Sequence, residues 1–394
     1  MKILYITPLW SGLKPFFYES QLKNSGMPAF YNIFINLLKD PKVEIIYVYL
    51  FVYRDNKEIN IPKEFKGKLV VKKIVVISRV KLYLSFIKSY ITGVRLIKKE
   101  KIDFIYGHGT ISFLSSIIGI RTKARHYRRI YGTFLYPKLL KKKNFIFSDF
   151  FEYLSFRLPT DGLIVTNDGT SGDKIFNFLN KNTSKFHFLL NGVNKEPLIF
   201  NDFGKFQLEE DYFTYVARID EWKRQDLLIK VLGELIKDEI DFPHTYLIGP
   251  IYSKDYKIKL EELIIQLNLS SKVTICGAVN KDEANYLLKN SLLSFSLYDF
   301  SNLGNVFLEG LSLGTPMMAI NEYNSLDYFP EDIYIPIKKA DYIEIKSKIK
   351  DVLNGSIDLE SIKVNSLKFS KQHILSWEER IIIEKKLIIN GILS

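Results

Sequence analysis

The chain has 394 residues and a formal net charge of +12, with 47% hydrophobic and 25% charged side chains. That apolar content excludes a disordered chain, and the length predicts two domains of a little under 200 residues each. A single cysteine, Cys276, excludes an internal disulfide framework and a thiolate metal cluster. The start, Met-Lys-Ile-Leu-Tyr-Ile-Thr-Pro, lacks a signal peptide's apolar core and cleavage site, and no run approaches the roughly 18 apolar residues of a spanning helix, so a cytoplasmic protein is expected.

Apolar, strand-like runs recur at 3–7, 43–51, 70–77, 104–107, 162–166 and 186–190, separated by helix-length segments. This alternation predicts a parallel sheet wrapped by helices. The positive charge is concentrated in the same half. Residues 66–101 hold eleven Lys or Arg against one acid, Glu100, and residues 121–143 hold nine against none. Large apolar and aromatic side chains (Tyr83, Phe86, Tyr90, Phe134, Tyr136, Phe145) are interleaved with them. A solvated face or a nucleic-acid surface would account for the charge alone. An anionic membrane surface accounts for the apolar faces as well, placing the protein on the inner face of the plasma membrane with no nucleic acid as partner. Residues 195–211 have little periodicity and read as a linker. The alternation then restarts, with strands at 212–219, 244–248, 273–276, 292–297 and 317–320 and helices near 224–237, 257–267, 282–289 and 306–312.

The last of these units is the most informative. Strand 292–297 runs into a polar loop, Ser301-Asn-Leu-Gly304, followed by a helix with Glu309 inside it and a Gly-Thr-Pro stop at 314–316. Free N–H groups and the positive end of the helix dipole aim past the strand's carboxyl end, where an anion belongs. Glu309 lies five residues beyond Gly304, about 7 Å along the helix, where the hydroxyls of a ribose would meet it. An unpaired carboxylate in an apolar stripe is costly, and a ribose is the expected partner. Arg218 and Lys223, at a strand end and in the loop after it, are candidates to meet phosphates. No Asp-x-Asp motif and no cluster of His, Cys or acid at ligand spacing is present, so no metal and no cofactor is expected.

The order of loop, acid and Gly-Thr-Pro resembles the donor-site signature of the retaining family 4 glycosyltransferases, a Glu, seven residues and a second Glu. Glu309 holds the second place, and Ser301 stands where the first Glu would be. Thr214-Tyr-Val-Ala-Arg218 with Lys223, Ile248-Gly-Pro250, and Val273-Thr-Ile-Cys-Gly277-Ala-Val279 resemble the family's other strand ends. In the first half Asn191-Gly-Val193, Tyr106-Gly-His-Gly109 and Ile130-Tyr-Gly-Thr133 fit more loosely, and 369–380 with Trp377 resembles the family's closing helix. The resemblance implies the α/β GT-B architecture: Rossmann-like domains at 1–195 and 196–370 facing across a cleft, with 371–394 returning to the first.

It further implies retaining transfer of a hexose or related sugar from a nucleotide diphosphate to a saccharide, lipid-linked in view of the basic half, in surface polysaccharide, capsule or lipopolysaccharide synthesis. Arg218, Lys223 and Glu309 would be catalytic. Gly277 and Val279 would frame the base, and the amides of Gly304, Asn305 and Val306 the diphosphate. Ser301 cannot carry the charge of the family's first Glu, and Asn302 or Asp299 would touch the sugar instead. Gly26, His108 and Tyr131 would lie on the acceptor side, Tyr131 replacing a family His whose role does not transfer to it. The competing readings are a nucleotide-sugar epimerase of the same build and a binding subunit that has lost catalysis.

Overall fold

In the computed structural model the described residues are 1–22, 28–141, 149–180, 185–195, 210–298 and 300–389. Gly26, Lys142, Lys143, Phe145, Asp299 and most of the expected linker lie outside them. The chain divides into two compact units, Met1–Leu190 with Trp377–Ser394, and Asn191–Ser376. The division falls at 190/191 and 376/377 rather than 195/196 and 370/371, because Val193 bridges to Ser376 and donates its N–H to Leu375 O at 3.0 Å within the second unit. The expected helix across 369–380 is two helices, Leu359–His373 and Trp377–Ile389.

The first unit is a seven-stranded parallel sheet: β1 (Lys2–Pro8), β2 (Ile45–Tyr53), β3 (Leu69–Val76), β4 (Phe104–His108), β5 (Arg125–Ile130), β6 (Gly162–Asn167) and β7 (Lys185–Leu190), in the order 3-2-1-4-5-6-7. Parallel strands covered on both faces read as continuous apolar runs, which is why most of these were visible. β5 was not, since Arg-His-Tyr-Arg-Arg-Ile has three arginines in six residues. Successive side chains of a strand point to opposite faces. Arg128 sends Nη1 to Leu154 O at 3.0 Å and Nη2 to Leu158 O, at the C-terminal end of helix Phe150–Arg157. Arg129 points the other way, to Glu384 of helix Trp377–Ile389. Both arginines are buried, so two of the nine cations in 121–143 belong to the core and not to a surface.

The second unit is a six-stranded parallel sheet: β8 (Tyr212–Val216), β9 (His244–Ile248), β10 (Val273–Gly277), β11 (Leu293–Ser296), β12 (Met317–Ile320) and β13 (Ile335–Ile337), in the order 10-9-8-11-12-13. Three-residue β13 was too short to register in the pattern. A continuous core on one face runs from Phe213 and Phe295 in the sheet to Leu228, Leu232 and Ile349 on the covering helices, and a smaller cluster of Tyr212, Tyr246, Ile248 and Leu287 lies on the other. Asn280 and Glu283 close a capping box on helix Lys281–Lys289. Helix Asn305–Leu313 stops at Gly314, in the left-handed region with φ 74°.

Candidate functional site

In an open parallel sheet, ligands sit beyond the strand carboxyl ends where the strand order reverses. In the second unit that point lies between β8 and β11, and both candidate segments issue from it. After β8, Arg218 pairs with buried Asp220 at 3.1 Å and lies 4.8 Å over the Tyr252 ring, half exposed. Lys223 places its ammonium 3.5 Å from the centre of the Tyr298 ring. After β11, Tyr298 is buried, and burial raises the pKa of its hydroxyl, opposed by a hydrogen bond with Ser296, with smaller effects from the charges of Asp220, Arg218 and Glu309. Lys223 thus lies against the Tyr298 ring, beside the Arg218–Asp220 pair that leaves the same strand end.

Tyr298 escaped the sequence reading, although it stands immediately past the strand run and so at a strand end, as Arg218 does. The loop around it is braced. Asn302, buried, accepts from Tyr298 N at 3.0 Å and donates to Tyr298 O at 2.8 Å, so both ends of its amide shape the loop rather than face a sugar. Ser301 sits in the left-handed region, φ 68°, uncommon for a residue with a side chain. Gly304 is the N-cap, and the helix first turn carries Asn305, whose Oδ1 accepts from Asn191 Nδ2 at 2.7 Å, and Val306.

Glu309 is 5% exposed. The expectation that a buried carboxylate here needs a partner holds, but the protein itself provides one: Lys281 donates to Oε2 at 2.5 Å. Twenty-eight residues and a strand separate the two, so no local pattern announced the pair. Lys281 is half exposed and starts the helix that follows Gly277 and Val279. Gly277 holds φ 73° with no heavy atom within 4 Å of where a Cβ would stand, leaving its outer face open. Its carbonyl accepts from Gly249 N at 2.8 Å. Glycine is required at 249 as well, where φ is 151° and a Cβ would meet Ala217 O at 2.0 Å.

The corresponding point of the first unit lies between β1 and β4. His108, at the end of β4, is buried, stacked on Tyr5 (centroids 4.3 Å apart) and bonded through Nδ1 to Tyr131 Oη at 2.8 Å. Burial pushes its pKa down to about 3, so the imidazole is neutral near pH 7. Tyr131 in turn lies under Arg129 and against Phe30 and Trp10. His108 and Tyr131 are therefore joined to each other, with the imidazole turned inward. Among the described residues no group of three or more His, Cys, Asp or Glu is placed to hold a metal ion.

Residues 200–369 match the family model described as glycosyl transferases group 1. No curated protein matches the sequence. Among solved structures the fold is similar to that of Anabaena Alr3699/HepE in complex with UDP, at 17% identity over 98% of this chain and 99% of that one, TM-score 0.68; the same protein has been solved with UDP-glucose. A glycosyltransferase from Rickettsia africae is 16% identical over 100% and 98% of the two chains, TM-score 0.69. WaaG, a glycosyltransferase involved in lipopolysaccharide biosynthesis, is 13% identical over 99% and 100%, TM-score 0.67. The second unit therefore matches the group 1 glycosyltransferase model, and the chain along its length has the two-sheet GT-B fold of the solved glycosyltransferases it resembles.

Proposed function

We propose that the protein is a retaining glycosyltransferase that moves a hexose or related sugar from a nucleotide-diphosphate donor to a lipid-linked saccharide, in the synthesis of a bacterial surface polysaccharide or glycoconjugate. The observation that carries this reading is that Arg218 and Lys223 follow β8 while Tyr298 and the helix bearing Glu309 follow β11, at the strand-order reversal of the second unit, with the Lys223 ammonium 3.5 Å from the centre of the Tyr298 ring. Departure of a nucleoside diphosphate builds negative charge, and a guanidinium, an ammonium and the helix amides past Gly304 supply fixed positive groups to meet it. Because these groups can neutralise the diphosphate, the transfer is taken to need no metal. Glu309 would bind the ribose after exchanging its bond to Lys281, and Gly277 and Val279 would frame the base with backbone atoms. UDP is the first donor base to test, since Alr3699/HepE binds UDP and UDP-glucose. Retention follows the family resemblance, and the lipid-linked acceptor follows the basic, apolar first unit together with WaaG's part in lipopolysaccharide synthesis.

Ser301 favours the second reading, a nucleotide-sugar-binding subunit without catalysis. Donor hydrolysis and transfer measured across common nucleotide sugars, with and without a chelator, separate the two. Turnover that survives chelation supports the first. Binding without turnover of any donor selects the second, and complete loss restored by magnesium overturns the metal-free step.

A further inference from the structure

Helix Arg79–Glu100 turns Phe86, Ser89, Gly93 and Ile97 into the first unit's core. Its remaining surface is not that of an ordinary solvated helix. Val80, Leu84, Ile87 and Ile91, spaced four, three and four apart, share one face and are 69%, 59%, 58% and 43% exposed. Tyr83, 54% exposed, widens the row. Lys81, Lys88, Arg95 and Lys99, spaced seven, seven and four, form the adjoining row and are exposed. The helix's one acid, Glu100, accepts from Tyr47 Oη at 2.9 Å and lies 3.4 Å from Lys99.

A groove runs along each side of this helix. One, of about 530 Å³, is lined by Tyr49, Val70, Leu96, the cations Lys72, Arg95 and Lys99, and the acid Glu100. The other, also about 530 Å³, is lined by Tyr90, Ile117, Ile120, Arg121 and Lys123. Both are lined by apolar side chains together with cations. An exposed apolar row beside a cationic row suits the boundary between acyl chains and anionic headgroups. A second copy of the chain would bring the same cations against these, and nucleic acid has no use for the apolar row.

We propose that helix Arg79–Glu100 is an in-plane membrane anchor, its apolar row sunk among acyl chains and its flanking grooves receiving the phosphates of anionic phospholipids. This gives the lipid-linked acceptor reading a defined seat and rests on it only for its biological purpose. The test is flotation of the whole protein with vesicles of phosphatidylglycerol in phosphatidylcholine, against pure phosphatidylcholine, at low and raised salt. Lys81→Gln/Lys88→Gln/Arg95→Gln should weaken binding to the anionic vesicles by roughly 100-fold, at about 1 kcal/mol per cation. Leu84→Ser/Ile87→Ser should weaken it at least about tenfold and leave a remainder that salt removes. These side chains are exposed, so thermal unfolding of both variants should match wild type.

Equal flotation with both vesicle types, no flotation at low salt, or a wild-type dimer that only the serine variant disrupts would each overturn the anchor. Tighter binding to nucleic acid than to anionic vesicles at equal ionic strength would do the same. Transfer to a soluble saccharide keeps the two readings apart. Variants that release from vesicles yet transfer normally support the anchor, whereas flotation without any sugar turnover supports the anchor and removes the enzyme reading.

Discussion

Replacing Glu384 with Gln takes the negative charge out of a buried cluster while nearly keeping its size. The carboxylate is 2% exposed and accepts from Tyr106 Oη at 2.5 Å, Arg129 Nε at 3.2 Å and Arg380 Nη2 at 2.9 Å. Arg129 also donates to Ile130 O, and Arg380 to Leu190 O, so both guanidinium groups are held where they are. In the variant two buried cations share no anion, and removing one partner of a buried pair costs about 3–5 kcal/mol. A second route agrees. Burial alone would raise the Glu384 pKa, but Arg129 and Arg380 outweigh it and hold it at about 2, against an ordinary 4.5. A depression of that size corresponds to about 3 kcal/mol. The folded carboxyl is more acidic than the unfolded one, so the unfolded chain binds the extra proton. The stabilisation is complete above about pH 4.5 and is lost as pH falls toward 2. Urea unfolding of wild type and Glu384→Gln from pH 7 down to pH 3, with hydrogen exchange in helix Trp377–Ile389, measures it. The gap should be about 3 kcal/mol at pH 7 and should narrow below pH 4.5. A gap under about 0.5 kcal/mol at pH 7, or one that does not narrow, would refute the argument, since either means the cluster is solvated or the arginines find other partners.

Arg218→Ala and Lys223→Ala should each lower kcat by about two to three orders of magnitude, the scale for removing one stabiliser of developing charge; an effect confined to KM in steady-state kinetics would reduce them to substrate binders. Glu309→Ala should abolish transfer while unfolding stays cooperative, and wild-type turnover in that variant would reject its ribose role. Lys281→Ala should cost about 1–2 kcal/mol in urea unfolding of the second unit, because Glu309 loses its cation while Lys281 itself is half exposed. Gly249→Ala should destabilise the second unit by more than about 2 kcal/mol, as its Cβ would meet Ala217 O at 2.0 Å from a left-handed backbone; a smaller loss in thermal unfolding would mean the β8 and β9 ends can part.

Both sheets were legible because strands buried on two faces must be apolar along their whole length, and the helices between them because apolar residues recur at helical spacing. The Gly-Thr-Pro stop and the acid after the polar loop were legible for a similar reason: helix ends and anion sites use local backbone chemistry. What sequence pattern could not convey was where a charge ends up. β5 reads as a basic surface segment, yet Arg128 and Arg129 are buried because their counterparts, the carbonyls near Leu154 and the carboxylate of Glu384, come from 26 and 255 residues away. Lys281 meets Glu309, and Asn302 turns back onto Tyr298, by the same rule. A charged or amide side chain is bland in sequence and decisive in space, since the low dielectric of a core makes its partner, not its neighbours along the chain, determine its energy.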